Sequence, residues 1–334
     1  MYKEKGNEVI FVGTENGLEK DLVPKAGFEL KIIHAQGLHR GLSLRNFETF
    51  IKLNKGIAEC INLVKSEKPS VVIGTGGYVT APLMVAGLHL KIPTVIHESN
   101  ALPGKTTFWL SRRIDLVALG FEDAKKHLPY AKNAVFTGNP TSMNPNFSKN
   151  EMKKKLGING KMLLVFGGSQ GAKKINDTMV NLINNNKLND FNVIYATGTG
   201  NYDEVISNVK NLPSNIKIEK YIYNMNEVMA AADLVICRSG ALTVTEIGIV
   251  GVPSILIPFP YAAENHQFFN AKTLEDVGAG FVIEEKNLTD EILCDKIYEI
   301  IKDDNKILKM SNNAKKLGDN KALERIEKEV NKIL

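Results

Sequence analysis

Cysteine is scarce. The chain has three in 334 residues, Cys60, Cys237 and Cys294, widely separated and without CxxC spacing. That excludes a disulfide framework and a cysteine-based zinc site, and it fits a reducing compartment. Long apolar runs are missing too: no stretch reaches the ~18–20 residues needed to span a bilayer, and the opening residues do not read as a signal peptide. No nucleic-acid partner is expected; net charge is small, at +5, but its placement is uneven. Residues 1–150 hold 19 Lys and Arg against 13 Asp and Glu, whereas residues 151–334 hold 23 against 24. The basic excess of the first half reads either as an ordinary solvated surface or as a face turned toward an anionic surface or substrate.

What is present is a globular composition, 43% hydrophobic and 24% charged, long enough for two domains. Short apolar runs alternate with helix-length amphipathic segments, the pattern of parallel α/β sheets. Strands are expected at 8–12, 70–74, 93–97, 114–118 and 134–137 in the first half. The second half has runs at 162–166, 192–196, 216–219, 233–237, 253–257 and 281–284. Helical spacing is clearest over 46–67, and two closing helices are expected near 288–302 and 305–333. Prolines and asparagines over 138–157 break the periodicity and mark a linker. The expected division is a domain at 1–140, a linker at 141–157 and a second domain at 158–334 that includes the closing helices. In such doubly wound sheets, ligands bind beyond the carboxyl ends of the strands.

Four loops in those positions have unusual chemistry. GTGGYVTAP (74–82) contains Gly76, Gly77 and Tyr78, which suit tight packing or a close backbone approach to a ligand. HESNALPGK (97–105) puts His97, Glu98, Ser99 and Asn100 in succession after a buried strand. VFGGSQGAKKIN (165–176) has glycines at 167, 168 and 171 but neither the dinucleotide spacing nor the Lys-Ser/Thr pair of a Walker A loop. It still offers a helix N-terminus to phosphate, and a single diphosphate is the economical ligand. CRSGALTVTE (237–246) supplies a second helix N-terminus followed by Glu246. That acid either complements a helix dipole, worth ~0.3–1 kcal/mol, or accepts both hydroxyls of a ribose.

Together with PFPYAAENHQ (258–267), these motifs resemble, in order and over nearly the whole chain, the MurG-type peptidoglycan glycosyltransferase family. The resemblance implies an α/β chain of GT-B architecture, with two doubly wound Rossmann-like domains and a cleft between them. It also implies inversion at the sugar C1 with no metal or other cofactor. The implied reaction moves N-acetylglucosamine from UDP-N-acetylglucosamine to lipid I, giving lipid II, at the cytoplasmic side of the cell membrane. Neither composition nor spacing gives that substrate.

Carried over by position, the resemblance puts Ser169 and its glycine neighbours at the diphosphate and Ile222 at the uracil. Ala241, Leu242, Thr243, Val244 and Thr245 supply backbone amides to the α-phosphate and nearby groups. Glu246 takes the ribose, and Gln267 takes the donor sugar with His266 beside it. From the first domain, Asn100 is a donor contact, and Gly76, Gly77 and Tyr78 line the acceptor side with His97 and Glu98. The catalytic base is unassigned, with His97 and Glu98 as the candidates. An apolar patch with a basic rim, drawn from Phe47, Phe50, Trp109, Arg112, Arg113, Lys52 and Lys55, is the expected contact with an anionic membrane.

Two departures stand out. Ser142 occupies a position where the family usually has arginine, two residues after the GNP tripeptide. The family's opening strand, glycine-rich loop and helix, including a histidine often proposed as base, have no counterpart. MYKEKGNEVIFVG reads as the end of that helix, with Gly6 as its C-cap, running into the second strand. In-frame codons encoding the strand and loop are therefore expected upstream of Met1. Two other readings stay open: a nucleotide-sugar-binding protein or fragment without turnover, and a related UDP-sugar enzyme such as an epimerase or glycolipid synthase.

Overall fold

A computed structural model describes residues 2–35, 45–318 and 320–334, with residues 45–52 described by their backbone alone. The chain divides into two units, residues 1–138 with 321–334, and residues 139–320.

The first unit alternates strands and helices: β1 (Ile10–Gly13), α1 (Glu19–Lys25), β2 (Glu29–Ile32), α2 (Arg45–Glu67), β3 (Val72–Gly74), α3 (Thr80–Leu90), β4 (Thr94–Glu98), α4 (Lys105–Leu110), β5 (Leu116–Leu119) and β6 (Ala134–Phe136). β3, β4, β5 and β6 form a four-stranded parallel sheet in that order, and β1 and β2 form a separate parallel pair. β4 and β5 are buried at every residue, which is why they read as continuous apolar runs. Gly6, in the left-handed region at φ 83°, caps a short 3₁₀ turn, its N–H donating to Lys3 O.

The second unit contains α5 (Lys149–Lys155), β7 (Met162–Phe166), α6 (Lys173–Asn184), β8 (Asn192–Ala196), α7 (Tyr202–Asn208), β9 (Ile216–Glu219), α8 (Met225–Ala231), β10 (Leu234–Cys237), α9 (Ala241–Val250), β11 (Ser254–Leu256), α10 (His266–Asp276), β12 (Gly280–Val282), α11 (Asp290–Ile301) and α12 (Asp304–Lys315). Its six strands are all parallel, in the order β12-β11-β10-β7-β8-β9. The chain winds outward from β7 to β9 and then restarts beside β7 with β10. That reversal is a topological switch point, where the loops after β7 and β10 diverge.

Two features differ from the sequence expectation. The segment expected as a linker contains α5, which is fixed to the second unit by charge. Lys149 and Lys153 both hydrogen-bond the buried Asp233 carboxylate, which also accepts the Met162 N–H at 2.8 Å. Burial alone would raise the Asp233 carboxyl, but the two ammonium groups and that N–H outweigh it and hold it below the usual carboxylate range.

The closing helices also divide differently. The expected helix at 305–333 is two helices, α12 and α13 (Ala322–Asn331), and α13 belongs to the first unit. There Val330 is fully buried with Val95 and Leu116, flanked by Ile326 and Ile333. Each such side chain contributes ~1.5–3 kcal/mol of apolar burial. Arg325 anchors the helix further, its Nε donating to Thr137 O at 2.9 Å.

Candidate active site

The loops at the switch point of the second unit carry two helix N-termini. α6 follows the glycine loop after β7, and α9 follows the Arg238-Ser239-Gly240 turn after β10; neither has a side-chain cap. The first intrahelical bonds are Asn176 N to Ala172 O and Val244 N to Gly240 O. The N–H groups ahead of these, including those of Ala241, Leu242 and Thr243, have no intrahelical acceptor. Because β7 and β10 are hydrogen-bonded neighbours, both positive helix ends open at the same edge of the sheet. This arrangement suits a diphosphate.

The two turns are held by polar contacts. In the glycine loop, Gly171 N donates to Gly168 O at 2.9 Å, and Asn201 Nδ2 donates to Gln170 O at 2.7 Å. Gly168, Ser169 and Gln170 are exposed. Beyond β10, the buried Ser239 donates to Gln267 O at 2.8 Å, and Asn270 Nδ2 donates to Ser239 O. Arg238 ties three strand ends together: it donates to Ile257 O and Pro258 O, both at 3.1 Å, and pairs with Glu285 beyond β12. Sequence reasoning quoted Arg238 without giving it this role. Its position next to Ser239 was the available signal.

Glu246 lies in the second turn of α9, not the first. A macrodipole effect fades within the first turn. Burial pushes its carboxyl up, partly opposed by a hydrogen bond from Thr141 Oγ1 at 2.8 Å. Ile222 is 6% exposed and lies between the exposed Tyr221 and Tyr223. Gln267 accepts the Phe259 N–H through Oε1 at 3.0 Å, which fixes its side-chain amide. Glu264 and Asn265, just before α10, both adopt left-handed backbone at φ 50° and 57°.

The glycosyltransferase family 28 C-terminal domain matches residues 162–326, and the N-terminal domain of the same family matches residues 2–119. The chain is 46% identical over 337 residues to the UDP-N-acetylglucosamine--N-acetylmuramyl-(pentapeptide) pyrophosphoryl-undecaprenol N-acetylglucosamine transferase of Acetivibrio thermocellus, covering 99% of this chain and 91% of that protein. The chain belongs to the MurG-type glycosyltransferases of family 28. The transferase of the same description from Clostridioides difficile is 42% identical over 98% of this chain and 81% of its own length. Among solved structures, Acinetobacter baumannii MurG matches this family 28 chain with a TM-score of 0.80 at 27% identity, over 99% of this chain and 92% of that one. The glycotransferase of kitacinnamycin matches at 0.68 with 16% identity, a likeness of fold. The fold is GT-B, built from two Rossmann-like α/β units.

In the first unit of this family 28 enzyme, the candidate residues are mostly engaged in structure. His97 is buried, with Nε2 3.0 Å from Gly138 O, so that nitrogen carries the proton. Burial pushes its pKa down, against the Gly138 carbonyl and the Glu98 charge. Glu98, also buried, accepts from Asn100 N and Nδ2, Gly104 N and Thr107 Oγ1. That carboxylate organises the loop after β4. Tyr78 is half-exposed, its hydroxyl 3.3 Å from Thr14 Oγ1, and Gly76 and Gly77 both have positive φ. Ser142, at the family's usual arginine position, is exposed, and its carbonyl accepts from Asn226 Nδ2 at 3.3 Å.

Proposed function

We propose that the chain transfers N-acetylglucosamine from UDP-N-acetylglucosamine to the C4 hydroxyl of the muramyl sugar of lipid I, forming lipid II. The observation that carries this reading is the pairing of two uncapped helix N-termini at one switch point with Glu246 behind the second, in a chain 46% identical to a transferase of that description. In this reading Ser169 and the glycine loop hold the diphosphate, and the amides of Ala241 to Thr245 hold the α-phosphate. Glu246 accepts the ribose hydroxyls, Ile222 meets the uracil, and Gln267 contacts the donor sugar. The acceptor hydroxyl attacks C1 as the bond to the diphosphate breaks, giving the new glycosidic bond, UDP and one released proton. Charge builds on the leaving UDP, where oriented N–H groups stabilise it without reorganising.

Purified chain with UDP-N-acetylglucosamine and lipid I is expected to release UDP and form lipid II in equal amounts. UDP binding without lipid II would point to a binding protein. Label moved to diacylglycerol, or an epimerised sugar, would point to the related enzymes.

The membrane contact is part of the same proposal. No helix among the described residues is long and apolar enough to cross a membrane. Trp109, at the end of α4, is 66% exposed, and the exposed Arg112 and Arg113 follow it. Phe47, Phe50 and Lys52, expected in the same patch, lie outside the residues whose side chains are described. Trp109→Ala is expected to weaken sedimentation with phosphatidylglycerol-containing vesicles by roughly 3- to 10-fold, the equivalent of ~0.7–1.4 kcal/mol of apolar burial. Binding of the unaltered chain should fall as salt rises. Equal binding to neutral vesicles at every salt concentration would remove the electrostatic part.

A further inference from the structure

The second unit opens with a short irregular segment, Asn139-Pro140-Thr141, which clasps α9 at two consecutive residues. Asn139 Nδ2 donates to Thr245 Oγ1 at 3.0 Å, and Thr141 Oγ1 donates to Glu246 Oε1 at 2.8 Å. The direction of the second bond follows from the partners. Thr141 Oγ1 also receives the Met143 backbone N–H at 3.2 Å, and an N–H can only donate. The single hydroxyl proton is therefore directed to the carboxylate. Pro140 lies between the two clasping residues, its φ fixed by its ring, and the position before it favours extended backbone.

We infer that Thr141 is a positioning residue for the nucleotide site: its hydroxyl fixes one oxygen of Glu246 and leaves the other to receive the ribose. The inference rests on the reading of Glu246 as the ribose acid. A carboxylate on a helix surface has several rotamers, and one accepting two vicinal hydroxyls must be held in a single orientation. The Thr141 bond supplies that restraint from outside the helix. It also favours the ionised, acceptor-only form, against the burial that pushes this carboxyl up. The adjacent Ser142 is exposed and hydrogen-bonds through its backbone, so this segment's side-chain contact with α9 runs through Asn139 and Thr141.

The test is UDP binding to the full chain by calorimetry, in four variants with melting temperatures recorded. Thr141→Val keeps the shape and removes the hydroxyl; it is expected to weaken UDP roughly 5- to 10-fold while the fold stays intact. Thr141→Ser restores the hydroxyl and should return affinity to within about twofold. Glu246→Gln should weaken UDP by itself, and adding Thr141→Val to it should cost less than about twofold more, because the two residues act as one unit. In turnover, Thr141→Val should raise KM for UDP-N-acetylglucosamine and leave kcat nearly unchanged. An equal loss from Thr141→Val with and without Glu246→Gln overturns the inference and leaves the ribose reading standing. No loss from Glu246→Gln alone overturns both.

Discussion

Glu246→Ala is expected to weaken UDP-N-acetylglucosamine binding by roughly 30- to 1,000-fold, or ~2–4 kcal/mol, because in the proposed reading both ribose hydroxyls then lose a charged acceptor. The same change should leave the thermal stability of the free protein unchanged or slightly higher. Burial raises the Glu246 carboxyl above its ordinary value, so the folded state holds this proton more tightly than the unfolded state. Stability from that difference is fully present below the unfolded pKa and is lost as pH rises through the folded one. Near neutral pH the ionised carboxylate is thus a cost to the free fold, and removing it relieves that cost. Donor affinity has the opposite pH dependence and falls as pH drops and the acid becomes protonated. A helix-dipole role predicts another pattern, with lower stability in the variant and unchanged donor affinity. Calorimetric titration with the donor, paired with melting curves, separates the two by sign.

The parts of the fold legible in the sequence are those whose burial is local and continuous. β7, β8 and β9 occupy the residues expected for them, 162–166, 192–196 and 216–219. β7 is buried at every position and flanked by polar turns. β2 and α1 were missed because their signals conflict: β2 has the exposure pattern of a charged edge, and Pro24 lies inside α1. The break between α12 and α13 depends on a contact distant in sequence. Gly318 packs against the backbone of α9, where an added Cβ would lie 2.2 Å from Gly248 O. Nothing in residues 305–333 alone specifies that approach.

The candidate site divides in the same way. Its loops are legible because glycines, a helix start and an acid occur close together in sequence. The Thr141 bond to Glu246 spans 105 positions and the Asn139 bond to Thr245 spans 106, so neither could be read from a motif. The Arg238 link to Glu285 is invisible for the same reason. The loop motifs are local in sequence, and the side-chain contacts that hold them are long-range.

The glycine loop gives the second large effect. Gly171 has φ +77°, and a Cβ added there would lie 2.1 Å from Thr197 O and 2.7 Å from Asn201 Nδ2. Thr197 has little freedom to retreat. Its N–H donates to Glu219 O at 3.0 Å, and its carbonyl accepts from Asn176 Nδ2 at 3.1 Å. Gly171→Ala therefore combines left-handed strain with a backbone clash, and the expected loss of stability is ~2–4 kcal/mol. Because the displaced segment is the loop before α6, UDP affinity should fall with it. Gly168 provides the internal control. It has φ +90° but nothing within 4 Å of its added Cβ, so Gly168→Ala should cost only the strain, ~1–2 kcal/mol. Denaturant melts of the two variants, read as a difference, isolate the close approach of the β7 and β8 loops. Equal losses would mean that the loop relaxes away from Thr197 and that shape does not enforce the glycine at 171.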